Sequence, residues 1–306
     1  MKGAIGIDIM KTRDTREISK LSFDYISKNG AAIILPVVSI AIPLIIVSYL
    51  SAVAVGETYN PFNKLVSLKK SLSPRSYLIV IALFLFYIIG LSLYNYFINN
   101  CLLKGERKAK NEESLSEGSF IDIFKMYLLN FTILFAIYYF VSNVSEYLYF
   151  QFMSDFEPGA VSGVIGYIWL LLLNKLPWLI IMPPVFFFCF SASYISHRDN
   201  IGSSDALTKI WSLVKAKSQK LWLNSIKVSG IYFGLILVLK IFIWYAGGIG
   251  SLFDHLTITF YNILTTFELI FTLTAMMHLH VSMVLLYGSF EDEEHGHFIK
   301  RKVDAL

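Results

Sequence analysis

Six stretches of this chain stay apolar for longer than a soluble helix requires, and that recurrence limits what the chain can fold into. A helix crossing a ~30 Å hydrocarbon core takes ~20 mostly apolar residues. Windows at about 31–55, 77–98, 126–149, 163–190, 224–248 and 257–287 reach that length. They are too long for strands and do not alternate apolar with polar. Inside a bilayer the backbone can bond only to protein, which selects helices for such segments. Composition agrees: 56% of the 306 residues are hydrophobic, 16% are charged and the mean hydropathy is +0.60. Soluble domains carry about 25% charged residues. The expected fold is an all-α integral membrane protein, a single polytopic domain over 1–306 with six transmembrane helices and a polar tail at 289–306.

Lysine and arginine orient the spans. Twenty of the 26 lie before span one, between spans two and three, between spans four and five, or in the tail. Four, Lys64, Lys69, Lys70 and Arg75, fall in the first loop on the other side, and Lys175 and Lys240 lie within spans. Basic residues collect on the cytoplasmic side, so both termini are predicted inside, in a bacterial inner membrane. The opening MKGAIGIDIMKTRDTREISK has no apolar core segment or small-residue cleavage site, so no removable signal peptide is expected.

Three segments preceding spans share a pattern. In the first, Asp14 and Glu17 have capping-box spacing, and Ile18, Leu21, Tyr25 and Ile26 form a helical stripe. In the second, Ser119 and Asp122 repeat the spacing. In the third, Ser203 or Ser204 is the N-cap, and Leu207, Ile210, Trp211, Val214 and Leu221 share a face opposite Lys209 and Lys220. Three short amphipathic interfacial helices on the cytoplasmic side are therefore expected, lying in the membrane plane against anionic headgroups. The unit of interfacial helix, span and span recurs at about 12–101, 116–195 and 203–288 as a threefold pseudo-repeat.

The run MPPVFFF through SSDALTKIWSLVKAKSQKLW resembles bacterial multi-pass proteins of the glycerophosphodiester phosphodiesterase membrane-domain type. Ala206, Leu207, Ser212, Leu213, Val214, Lys215 and Trp222 carry the likeness. The ending LYGSFEDEEHGHFIKRKVDAL resembles that of an uncharacterised Bacteroidota membrane-protein family through Tyr287, Glu291, Glu294 and Arg301. It departs from that ending at Gly288, His297 and Lys302. The resemblance implies a membrane module without a catalytic domain.

Enzyme motifs are missing: there is no H-E-x-x-H, G-x-S-x-G or glycine-rich phosphate loop. His278 and His280, two apart on a helix, point in different directions and are read as hydrogen-bonding groups near the inner boundary. The EDEEHGH run offers carboxylates and imidazoles suited to a divalent cation, or to contact with the chain's own basic helices. Cys101 and Cys189 read as reduced apolar fillers. No cofactor, resident metal or nucleic-acid partner is expected.

Ionisable groups within spans are the sharper signal, because they are costly at mid-bilayer and face protein or water. Lys175 and Glu268 lie ~18 Å and ~17 Å from the outer starts of spans four and six at 1.5 Å per residue. They are expected to pair, with Asn174 and Thr272 as polar neighbours. Pro36 and Pro43 in span one, and Pro177, Pro183 and Pro184 in span four, are expected to interrupt those helices. The function expected is a non-enzymatic inner-membrane subunit, scaffold or assembly factor for membrane or cytoplasmic partners, in contact with lipid. The alternative is a small-molecule or ion transporter or channel with its site near Lys175 and Glu268.

Overall fold

The computed structural model describes residues 6–30, 33, 42–43, 74–110, 120–154, 164–250 and 257–304, so the first predicted span lies almost wholly outside it. Among the described residues the protein is all-helical. Its elements are α1 (Thr15–Lys28), α2 (Pro74–Lys110), α3 (Phe120–Ser154), α4 (Val164–Asp199), α5 (Ser203–Gly250) and α6 (Thr257–Asp304).

Three segments among the described residues are long and apolar enough to cross a membrane: Leu179–Asp199, Ser203–Leu239 and Ile270–Gly296. The helices exceed what crossing demands. The 48 residues of α6 extend ~72 Å at 1.5 Å per residue, more than twice a hydrocarbon core, and α5 has 48 residues divided by a kink at Lys217. Their surplus length packs on itself: Val281 through Phe290 of α6 are buried, as are Met182, Phe186, Phe187 and Phe190 of α4. Protein, not lipid, covers these apolar residues.

Local sequence sets the helix ends. The Asp14 carboxylate accepts the Glu17 N–H at 2.7 Å and caps α1, and Glu17 and Lys28 complement the helix dipole at its two ends. The stripe read from the sequence is buried at Ile18, Tyr25 and Ile26. Its partners are α6 and α5, and α1 runs lengthwise beside α6: Arg13 meets Ser289 and Ser22 meets His278. Protein of the same chain, α6 and α5, thus covers the buried stripe.

Between α4 and α5 the chain turns within a few residues. Asn200 adopts φ 51°, and the Ile201 N–H bonds the Ser196 carbonyl at 3.3 Å, a Schellman closure with Asn where glycine is usual. The third amphipathic segment is broken within: Lys217 leaves helical geometry at φ −129°, ψ 29°, inside α5, so Lys220 and Leu221 lie beyond the break from Leu207 and Ile210, and Trp211 of the expected apolar face is exposed. The second segment is not separate, since α3 continues unbroken from Phe120. The prolines also depart from expectation. α4 continues through Pro177, Pro183 and Pro184, so they remove backbone donors without ending the helix.

Candidate functional site

Among the described residues, the most elaborate polar construction lies where residues 6–14, the end of α2, the α4–α5 turn and the far part of α6 meet. Residues 6–14 form an irregular strap that bends at Met10 and Lys11, where the Lys11 N–H bonds the Ile9 carbonyl at 3.0 Å. Ile7 N–H bonds the Gly105 carbonyl at 3.0 Å, tying the strap to α2. Arg13 N–H bonds Ser289 Oγ at 2.9 Å, and Thr12 gives both its N–H and its hydroxyl to Asp292, tying the strap to α6. Ile7 and Ile9 enter the core. Gly288 is where the strap crosses α6: a Cβ there would stand 2.1 Å from the Ile9 carbonyl oxygen.

Beside the strap lies an ion-pair network. Arg198, from the last turn of α4, reaches both Glu291 oxygens and Asp199. Lys209 of α5 joins the same two acids at 3.0 and 3.2 Å. Glu293 takes Lys217 at 3.4 Å and Lys220 at 2.6 Å. The guanidinium of Arg198 also sits 5.9 Å from the ring centres of Tyr194 and Tyr287, within cation–π range. Tyr194 donates to the buried Glu106, which Lys110 pairs at 2.9 Å. Cations and carboxylates from four helices therefore neutralise one another in a cluster that is half-buried around Arg198 and Glu291 and open to solvent at Lys209 and Lys220.

Beneath it, neutral groups form a second chain. His280 is fully buried and stacks on Phe190 with ring centres 4.4 Å apart. Its Nε2 lies 2.8 Å from Asn99 Oδ1, and the Asn99 amide nitrogen donates to Tyr127 OH at 2.6 Å. An amide oxygen only accepts, so His280 is the Nε2–H tautomer. The Tyr127 hydroxyl also lies 3.4 Å from His197 Nδ1. An amide in the middle of this chain does not pass protons as water or imidazole does. It specifies packing among α2, α3, α4 and α6. Tyr25 secures α1 by donating to the Cys101 carbonyl at 2.8 Å. Burial, then proximity to Cys101, pushes the Tyr25 phenol above its usual range, and burial likewise raises the Cys101 thiol against the Tyr25 hydrogen bond and Lys104.

The sequence-predicted cluster is only partly described. Thr272 is half-buried on α6, whereas the side chains of Asn174, Lys175 and Glu268 lie outside the described residues. His280 has the interhelical hydrogen bond expected of the histidine pair, and the His278 ring lies tilted against Phe23 with centres 4.2 Å apart. Cys101 and Cys189 are free and buried, as the filler reading requires. Of the two readings of the acidic tail, Glu291 and Glu293 follow the one in which they contact the chain's own basic residues. Sequence reasoning missed the strap, although the alternation Ile5, Ile7, Ile9 was its signal. No family model matches this chain, and no curated protein or solved structure matches it either.

Proposed function

We propose that the chain is a non-enzymatic, multi-pass inner-membrane protein with six spans and both termini in the cytoplasm. Its overlong helices form a fixed cap at the cytoplasmic end, a scaffold or assembly platform for membrane or cytoplasmic partners. The observation that carries this reading is the brace itself. Strap, ion pairs and hydrogen bonds connect α1, α2, α4, α5 and α6 at one end. Alternating-access transporters work by rocking helix groups against one another. A brace of this extent holds those groups together and favours a platform.

Orientation has support of the same kind. The strap, the end of α2, the α4–α5 turn and the start of α5 all belong to segments whose basic residues mark them as cytoplasmic. Contacts such as Ile7 to Gly105, Arg13 to Ser289 and Arg198 to Glu291 gather them at one end.

The test is a photo-crosslinking residue at Gly202 in the α4–α5 turn, where a side chain meets nothing within 4 Å. The platform reading predicts one discrete protein adduct in living cells, lost when the partner is deleted. A chain that forms no adduct and purifies alone and monodisperse in mild detergent overturns it. A water-filled path to Lys175 would instead place the function in the spans.

A further inference from the structure

A cleft of about 350 Å³ opens between the first part of α5 and the end of α6, a volume at the small end of the range for small-molecule sites. On α6 it is lined by Tyr287, Glu291, Glu294 and His295, whose spacing keeps them on one helical face. On α5, ahead of the break at Lys217, Lys209 and Ser212 line it beside Leu213. Tyr287 and Leu213 are buried and form its floor, while Ser212, Glu294 and His295 are exposed at its mouth.

Charge is balanced at the inner end and unbalanced at the mouth. Arg198 and Lys209 are matched by Asp199 and Glu291. Glu294 has no ionic partner among the described residues, so the lining keeps one carboxylate that a cation would offset. Among the described residues, Glu291, Glu294 and His295 are not placed to share a metal ion, and the volume suits an organic ligand better than a bare ion. Ser212 gives its proton to the Lys209 carbonyl at 2.8 Å, which leaves its oxygen free to accept. The mouth thus offers acceptors suited to an ammonium group.

The floor offers the opposite. Tyr287 is 1% exposed, and its hydroxyl has no hydrogen-bond partner. The Glu291 carboxylate stands beside that hydroxyl but is held by Arg198 and Lys209 instead. A buried hydroxyl left without a partner is costly, and an oxygen on a ligand would satisfy it.

We propose that this cleft binds a small organic cation, with its ammonium at Glu294 and Ser212 and its hydrocarbon stem along Leu213. A neutral oxygen at its other end, about 10 Å away by the helical rise from Tyr287 to Glu294, accepts from Tyr287. The site adds a ligand to the braced end and does not depend on whether that end also serves protein partners.

The test titrates aminohexanol, whose extended chain approaches that separation, into the full-length protein in lipid nanodiscs, read by calorimetry against empty nanodiscs. Saturable binding at one site is expected. Hexanol and hydroxyhexanoate keep the stem but remove or reverse the charge, and each binds at least about five-fold more weakly. Glu294→Gln lowers the affinity for aminohexanol about five-fold, and Lys215→Gln, outside the cleft, leaves it unchanged. Tyr287→Phe lowers it about five-fold too, without lowering the thermal midpoint of the unliganded protein, because the lost hydroxyl had no partner. Absence of saturable binding, equal binding of hexanol, or full affinity in Glu294→Gln or in Tyr287→Phe overturns the proposal. A lowered midpoint in unliganded Tyr287→Phe also counts against it, since the hydroxyl would then be bonded within the protein.

Discussion

Gly288 shows how much a single residue decides here. The strap passes so close to α6 that only a residue without a side chain fits beneath the Ile9 carbonyl, which accounts for the glycine there. Gly288→Val is expected to cost about 1–3 kcal/mol through overpacking, read as a lower midpoint of thermal unfolding in detergent and faster proteolysis of the N-terminus. Gly202→Ala, with nothing within 4 Å of its added methyl, serves as the unaffected control. Arg198 illustrates a different dependence. Its guanidinium and the Glu291 carboxylate are each under a fifth exposed, so removing either leaves the other charge poorly solvated. Arg198→Met and Glu291→Gln should each destabilise by about 3 kcal/mol, and the double variant should lose less than the two single losses combined. Additive losses in denaturant titrations would show that the two groups act independently.

At the scale of elements, what was legible in the sequence was whatever adjacent residues determine. Asp14 and Glu17 announced the start of α1, and the stripe Ile18, Leu21, Tyr25 and Ile26 gave its buried side, because capping and helical periodicity are local. What covers that stripe was not legible. Lipid and α6 present equally apolar surfaces, and only the fold reveals that Ser22 meets the His278 carbonyl and that Phe23 packs tilted against the His278 ring. The prolines misled for a related reason: losing donors within α4 does not end a helix whose other sides are packed. The tail was ambiguous because EDEEHGH suits a cation or a set of lysines, and its choice depends on residues 73–93 positions away in the chain. Asp14→Ala should loosen α1 by about 1 kcal/mol, measured as faster amide exchange over residues 15–28 while α4 and α6 keep their protection. Equal loosening of all three helices would mean that α1 has no stability of its own to lose.

For the whole molecule, the contrast lies between its two ends. At the braced end polar groups meet polar groups, and Arg198, Glu291, Lys209 and Asp199 offset one another. Toward the other end α2, α3, α5 and α6 expose large apolar residues, including Leu85, Phe140, Val238 and Phe267, as lipid contact requires. The Lys175–Glu268 pair expected within the spans is tested by balanced variants. Lys175→Met and Glu268→Gln should each lower the amount of folded protein in the membrane, and the double variant should recover it; failure to recover counts against pairing. The central claim, one braced cytoplasmic end beneath a membrane bundle, is tested most directly by thiol accessibility. Cys101 and Cys189 are buried, and the raised thiol of Cys101 holds its proton above the ordinary cysteine range, so the native cysteines react slowly until the chain unfolds. Against that quiet background, Lys11→Cys in the strap and Gly202→Cys in the α4–α5 turn are exposed to a membrane-impermeant maleimide. Both should label in inverted membrane vesicles and stay unlabelled in intact cells, and labelling of either one from outside intact cells would contradict the account.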